Sequence, residues 1–399
     1  MSTVNVNHNY SVEFAIIQPD GTSTIIPDSV TAIHIKKNFV DEIFPLFVLD
    51  LSLYIENLKT LVEEDCTVSL TINRFNKYDD SNTESTDYTY DKQCFSSILR
   101  IYDKQYIDID SFTSDVDSDT EETTETRKVS YQINCLIDDL VTINDEILTD
   151  VYCNTDITAI IVNLLSNVYN KDAYIQQADN LTRYTNVIVP PMNLNNALNY
   201  LSDKYGIYNG TINKFFDANC VYIYDITNNS IQDKSYTINV LTSKQNTDSE
   251  IYSTYRMDDN ENVTLYTRTS PSVIFNTNVN DYDIGSNIVI NRYDENIQLS
   301  STSSIHDNSS SKTRYYWNTG KYETSDNLTN TITAIGSTVV SNVDFSLFEP
   351  NTKIIINGSQ DNDINGYYEI LSAITTISTS DYSTYVSATN ITFGKKVIA

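Results

Sequence analysis

Apolar residues recur with a period of two through the first third of the chain, and that spacing constrains the fold more than any other feature. Val12, Phe14 and Ile16, then Leu49, Leu51 and Leu53, then Val68, Leu70 and Ile72 alternate with polar residues. Such alternation places each set on one face of a half-buried strand. Gln18-Pro-Asp-Gly21 supplies a turn between the first strand and the stretch Thr24 to Ile26, because proline presets φ and glycine accepts positive φ. Asn57 to Glu64 carries only Leu58, Leu61 and Val62 as a stripe, which predicts a short helical connector. Strand alternation resumes over Ile98 to Ile109 and at Val129, Tyr131, Ile133 and Cys135. The intervening runs Asn76 to Asp91 and Asp115 to Thr126 are acidic and hydroxyl-rich, as solvated hairpin loops are.

The strongly helical segments follow. Ile157, Ile160, Ile161, Leu164, Leu165, Val168 and Tyr169 form an i, i+3, i+4, i+7 stripe behind Asp156, an N-cap residue type. A second helix is bracketed by Pro190-Pro191-Met-Asn193 and Gly206, with Leu194, Ala197, Leu198, Leu201 and Tyr205 on one face. Asn193 is its expected N-cap and Gly206 its C′ residue. After it, Ile207, Tyr208, Phe215, Phe216 and Val221 to Asp225 predict an aromatic hairpin. Beyond residue 236, Tyr236 to Leu241, Asn262 to Tyr266 and Ile288 to Ile290 return to strand character. The end of the chain carries Lys353 to Gly358, a turn at Asp361 to Gly366, and Tyr367 to Leu371. No repeat occurs at a period of about 20 to 50 residues, which removes solenoids and propellers.

The expected fold class is therefore mainly β with a small α/β insertion, in several domains. The expected division is an N-terminal β-barrel-like domain over 1–135, a mixed α/β domain with two helices and an aromatic hairpin over 136–235, a second barrel-like β domain over 236–342, and a small C-terminal β domain over 343–399.

Charge narrows the function. Among 399 residues, 54 are acidic and 25 basic, a net charge of −29, whereas binding to phosphate backbones by counterion release needs the opposite sign. Sequence-specific nucleic-acid binding and docking on anionic lipid are not expected on that ground. No run of about 18 apolar residues occurs, and the start, Met1 to Tyr10, lacks the basic and apolar regions of a signal peptide, so neither a membrane span nor a Sec signal is expected. Five cysteines (Cys66, Cys94, Cys135, Cys153 and Cys220), with no C-x-x-C pair, suit free thiols in a reducing compartment.

Catalytic chemistry finds few residues to use. His8, His34 and His306 are the histidines of the chain, and ordinary strand or loop roles suit all three. No G-x-S-x-G, H-E-x-x-H or P-loop pattern occurs. Asp115, Asp117 and Asp119 imitate the start of a calcium loop, but Thr120 stands where glycine belongs and Thr126 where glutamate belongs. No catalytic, cofactor or metal residue is assigned; Pro190, Pro191, Asn193, Leu194, Ala197, Leu198, Leu201 and Gly206 are singled out as a structural motif.

Two stretches together carry a family resemblance. One comprises Ser29 to Phe39, Phe44-Pro-Leu46, Leu49 to Leu53 and Cys66 to Ile72. The other runs from Val187 to Tyr208, followed by Phe215-Phe216 and Val221 to Tyr224. They resemble the baseplate hub proteins of tailed phages and contractile injection systems, including the hub-like part of the valine-glycine-repeat spike proteins. There, a similar strand, Pro-x-Asn, Ala-Leu…Leu helix and aromatic hairpin recur. The resemblance spans roughly residues 10 to 240, and Asn357-Gly358 and Asn365-Gly366-Tyr367 look like small β domains of phage tail proteins.

What the resemblance implies is a structural, non-enzymatic role in the virion. Three copies would form a homotrimeric ring in the tail baseplate, joining the sixfold tail tube to the central spike and letting DNA pass. Two barrels per chain would give a pseudo-sixfold surface. The implied partners are a second and third copy, the tail tube protein, the central spike protein and the baseplate wedge proteins, all made in the host cytoplasm, and no cofactor is implied. Acidic charge facing the bore would keep transiting DNA from adhering. A different class, a receptor-binding tail spike or fibre that holds host glycan, would also use many tyrosines, but Trp317 is the one tryptophan. A cytoplasmic or surface protein of an AT-rich bacterium is the remaining alternative.

Overall fold

The computed structural model describes residues 6–63, 65–78, 88–108, 128–169, 172–208, 210, 212–225, 235–240, 256–257, 263–267, 272–275, 288–289, 312–313, 331–341, 345–350, 352–358, 365–381 and 384–397. The acidic run 115–126, most of 76–91, His306, Trp317 and most of the turn at 361–366 lie outside the described residues.

The first β unit comprises β1 (Val6–Ile17), β2 (Ser23–Ile25), β3 (Val30–Asn38), β4 (Leu46–Tyr54), β5 (Thr67–Tyr78), β6 (Tyr88–Asp108) and β7 (Lys128–Ile137), with the connector helix α1 (Ile55–Glu63) after β4. The alternating residues face one interior: Ile33, Leu49, Leu53, Val68, Leu70, Ile72 and Ile133 are all fully buried. Gly21 closes the β1–β2 hairpin at φ +85°, its N–H donating to the Gln18 carbonyl at 2.9 Å. Asn38 ends β3 with an Asx turn, its side-chain oxygen accepting from the N–H of Val40 at 3.1 Å.

The α/β unit comprises α2 (Asp138–Asp145), β8 (Leu148–Thr155), α3 (Ile157–Val168), β9 (Asp172–Ile175), β10 (Tyr184–Met192), α4 (Leu194–Tyr205), β11 (Ile212–Phe216) and β12 (Cys220–Asp225). Strands β8 and β10 pair antiparallel as one small sheet. β11 and β12 form the aromatic hairpin, and β9 adds to β12 in parallel. Asp156 caps α3, its carboxylate accepting from the Ala159 N–H at 2.9 Å. Helix α2 and strand β8 carry little sequence signal: α2 has no side-chain N-cap and buries Leu140 alone, and β8 buries only Leu148 and Tyr152.

The remaining strands are β13 (Ser235–Val240), β14 (Arg256–Met257), β15 (Val263–Thr267), β16 (Ser272–Phe275), β17 (Ile288–Val289), β18 (Lys312–Thr313), β19 (Thr331–Ser341), β20 (Lys353–Asn357), β21 (Gly366–Asp381) and β22 (Thr384–Val397). β21 and β22 make a long antiparallel hairpin that forks. Residues Ser372–Ser378 of β21 pair with β3, and β22 meets β1 at Tyr385, so β21, β3, β4, β7, β6, β5, β1 and β22 close into an antiparallel ring. The other part of the same hairpin belongs to a second layer. β21 pairs with β20 over Gly366–Glu369, β20 pairs with β13 in parallel, and β22 pairs with β19.

The fork falls at Leu371, where the β21–β22 register shifts, and the N–H of Phe39 donates to its carbonyl at 2.9 Å. Two cores lie on either side. One fills the closed ring and the α/β unit; the other gathers Tyr236, Ile238, Ile354, Ile356, Ile370, Ile391 and Phe393. Residues 343–399 thus supply strands to both β units.

Candidate functional site

The eight motif residues run from the end of β10 through α4 to Gly206. In the β10–β8 pairing, Val189 faces Asp150 and Met192 faces Leu148, so Pro190 and Pro191 share the place opposite Thr149. Neither proline has an N–H to give a ladder, and the resulting bulge lies just before the last residue of β10, Met192. Asn193 then caps α4, accepting from the Asn196 N–H at 2.9 Å. Leu194, Ala197, Leu198 and Leu201 are fully buried, and Gly206 leaves the helix at φ +75°.

Two groups complete this helix that sequence reasoning passes over. Asn180, 1% exposed, donates from its side-chain amide to the carbonyls of Tyr205 at 3.0 Å and Gly206 at 2.8 Å. Lys214 on β11 lies beneath α4 and donates to the side-chain oxygens of Asn195, at 2.6 Å, and Asn199. Burial pushes its ammonium down to about 8, against the opposing charge of Asp203.

The α/β unit meets both β units at one junction, centred on the end of β3. Lys37 follows Ile33 and Ile35 in the inward-facing series of β3. Its ammonium pairs with the Asp217 carboxylate at 2.5 Å and donates to the Phe348 carbonyl at 3.4 Å. The signal for it in the sequence is a charged residue at an apolar position of the alternation. Phe39 meets the edge of Phe215 at 4.9 Å between ring centres, and Phe44 lies against Phe216 at 5.8 Å. Asn213 donates to the Phe39 carbonyl and to the Tyr224 hydroxyl at 2.8 Å, and the Phe216 N–H donates to the Ile43 carbonyl at 2.8 Å. Tyr169 donates to the Asp217 carbonyl at 3.1 Å; burial first, then the nearby Cys220 and Asp217, raises its phenol.

Beside Lys37 opens a cavity of about 320 Å³. Its floor is aromatic, with Phe47 and Phe95 at 4.7 Å between centres. One wall is the Tyr174–Tyr222 stack at 6.3 Å, and Asp172, Asp217 and Glu349 bring carboxylates to it. Cys94 and Cys220 also reach the cavity; burial pushes the Cys220 thiol up to about 11, so it stays protonated and unreactive at neutral pH. Cys66, Cys135 and Cys153 are likewise free thiols.

His34 faces outward from the closed ring. Its Nδ1 is 3.0 Å from Thr376 Oγ1 and its Nε2 3.1 Å from Asp50 Oδ2, and Asp50 accepts from Gln132 at 2.7 Å. The row spans β21, β3, β4 and β7 and pins their register. His8 lies in β1. Among the described residues, no group of three or more His, Cys, Asp or Glu side chains is placed to hold a metal ion, and no helix is long and apolar enough to cross a membrane.

The fold defines a class of protein: a mainly β chain in which one hairpin joins a closed antiparallel ring to a second β layer, with a compact α/β unit at the joint. The chain belongs to the family described as Bacteriophage PBS1 gene 109 protein, whose model matches residues 1–396. No curated protein matches the chain in sequence. Among solved structures, it is similar to a tail protein from Neisseria meningitidis MC58, with 10% identity over 97% of this chain and 96% of that one and a TM-score of 0.45. The 43 kDa tail protein of prophage MuSo2 from Shewanella oneidensis is 9% identical over 96% of each chain, with a TM-score of 0.47. An Escherichia coli component of the type VI secretion system, described as structurally similar to the T4 bacteriophage tail proteins gp27 and gp5, is 9% identical over 92% of this chain and 76% of its own, with a TM-score of 0.41.

Proposed function

We propose that this chain is the central hub of a phage tail baseplate: a non-enzymatic structural protein whose three copies form a ring between the tail tube and the central spike, with a bore through which DNA passes. The observation that carries the reading is the forked β21–β22 hairpin, which gives a single chain two β units held side by side. Three such chains present six β units, so a threefold ring meets a sixfold tube on one face and a threefold spike on the other. The phage family and the hub-like sequence of the strand, Pro-x-Asn, helix and aromatic hairpin support the same reading.

In this reading the stretch 1–135 forms the first unit and 236–342 most of the second. The stretch 343–399 closes the first and fastens it to the second, and 136–235 occupies the joint. The net charge of −29 on each copy leaves the bore unattractive to DNA. Wedge proteins, the tail tube and the spike are the partners, and the virion tail is the location.

The test is electron microscopy of the purified chain at high concentration, alone and mixed with the tail tube protein from the same source. The expected result is a threefold ring with a central hole that caps the tube. Lobed or elongated particles indifferent to the tube would overturn the hub reading in favour of a receptor-binding protein, and glycan binding would then be measured.

A further inference from the structure

The cavity at the junction combines two kinds of surface that rarely meet. Part of its lining is hydrophobic and buried: Phe47, Phe95 and Phe345 are each at most 6% exposed. Asp172, Asp217 and Glu349 also line it; among the described lining residues Lys37 is the one basic side chain, paired with Asp217, and the Lys92 ammonium donates to Ser346 of the lining at 3.2 Å. The Tyr174–Tyr222 stack lines the same cavity, with Tyr174 partly open to solvent and Tyr222 buried. The field of the acids is felt there: after burial, Glu349 is the largest cause of the raised phenol of Tyr222.

An apolar stem with a flat cationic head matches all three surfaces. The stem removes aromatic surface from water, the head stacks on a tyrosine face, and the carboxylates lie where the charge ends. The volume sits at the lower end of the about 300–1,000 Å³ range of ligand sites, which suits one side chain better than a cofactor. We propose that this cavity is an anchor pocket for an arginine side chain carried by a partner protein, the guanidinium lying between Tyr174 and the carboxylates of Asp172 and Glu349. A guanidinium fits better than an ammonium because it is planar, weakly hydrated and able to meet a carboxylate with two N–H groups. Since the pocket is walled by β3, β4 and β6, by β9 and β12, and by the segment Phe345 to Glu349, an occupant touches all three units at once. The proposal rests on the cavity and holds whether or not the chain is a hub.

The test uses the full chain and Nα-acetyl-arginine amide, followed by ligand-observed NMR, with the uncharged isostere Nα-acetyl-citrulline amide and free spermidine as comparisons. Saturable binding of the arginine compound is expected with Kd about 1 mM, weakened at least about tenfold in Asp172→Asn/Glu349→Gln and in Tyr174→Ala. These changes lie at the half-open rim, and an unchanged far-UV spectrum shows that the variants are folded. Equal binding of the citrulline compound, or no saturation with arginine, overturns the proposal. Tighter binding of spermidine than of the arginine compound overturns it in favour of a free polyamine site.

Discussion

The side-chain amide of Asn180 donates to the carbonyl of Gly206 at 2.8 Å, so a residue that precedes β10 closes the C-terminal end of the helix that follows it. Helix ends leave carbonyls without partners, and beside this one the rings of Tyr184 and Tyr205 meet at 5.0 Å. Replacing Asn180 by alanine removes the donor to the Gly206 carbonyl and leaves that of Tyr205 with the Tyr184 hydroxyl at 3.5 Å. The expected loss is about 2–3 kcal/mol of stability, read as a lower urea midpoint with an unchanged slope.

Lys214 links stability to alkaline pH. Its amine titrates near 8 in the folded chain against 10.5 in the unfolded one, so the unfolded chain binds the extra proton between those values. Stability from this group therefore rises with pH across that window, by an amount on the order of 3 kcal/mol. Lys214→Met removes the group. Comparing wild type and variant from pH 7 to 10.5 isolates its share from that of the many tyrosines, and the variant should lack the rise.

The Lys37–Asp217 pair holds β3 to the turn between β11 and β12. Side-chain exposures of 7% and 17% mean that either charge left alone is poorly hydrated. Lys37→Met should cost about 3–5 kcal/mol, and Lys37→Met/Asp217→Asn should recover most of it, because the second change removes the uncompensated charge. Chemical denaturation of wild type, Lys37→Met, Asp217→Asn and the double variant gives the double-mutant cycle.

Gly206 follows α4 at φ +75° in a buried position, a conformation that costs an L side chain about 1–3 kcal/mol. Gly206→Ala should lower stability by that amount. Asn193→Ala at the other end should cost about 1 kcal/mol, the ordinary loss of an N-cap. Because these ends are far apart on α4, the two losses should add in thermal or urea melts of the double variant.

The elements most legible in the sequence are those whose information is local. Alternation at Val12 to Ile16 and Leu49 to Leu53, the Gln18 to Gly21 turn, and the capped helices at Asp156 and Asn193 each rest on neighbours a few residues apart. Helix α2 was invisible because Ile137 provides no cap and Leu140 no stripe. The parallel pairing of β9 with β12 and of β13 with β20 joins residues about 50 to more than 100 positions apart, and no period within a strand announces its partner.

The candidate site divides in the same way. The motif from Pro190 to Gly206 shows its caps and its buried face in one window of sequence. Asn180, Lys214 and the cavity do not, since Phe47, Tyr222 and Glu349 come from three separate parts of the chain and converge only in the folded molecule. Lys37 is a charge at an inward position of β3, and nothing near it in the sequence names Asp217 as its partner.

The forked hairpin also sets the order in which this molecule can be made. The ring that begins with β1 is closed by β21 and β22, residues 366–397, which leave the ribosome long after β1 to β7. Until then β3 and β1 are open edges, with Tyr385 not yet there to donate its hydroxyl to the Val30 carbonyl at 2.8 Å. Contacts between such distant parts of a chain form slowly, and exposed strand edges invite the wrong neighbours. The unit that holds β1 to β7 is thus finished only when β21 and β22 arrive, and copies translated side by side must wait for their own closing strands before either can assemble with the other.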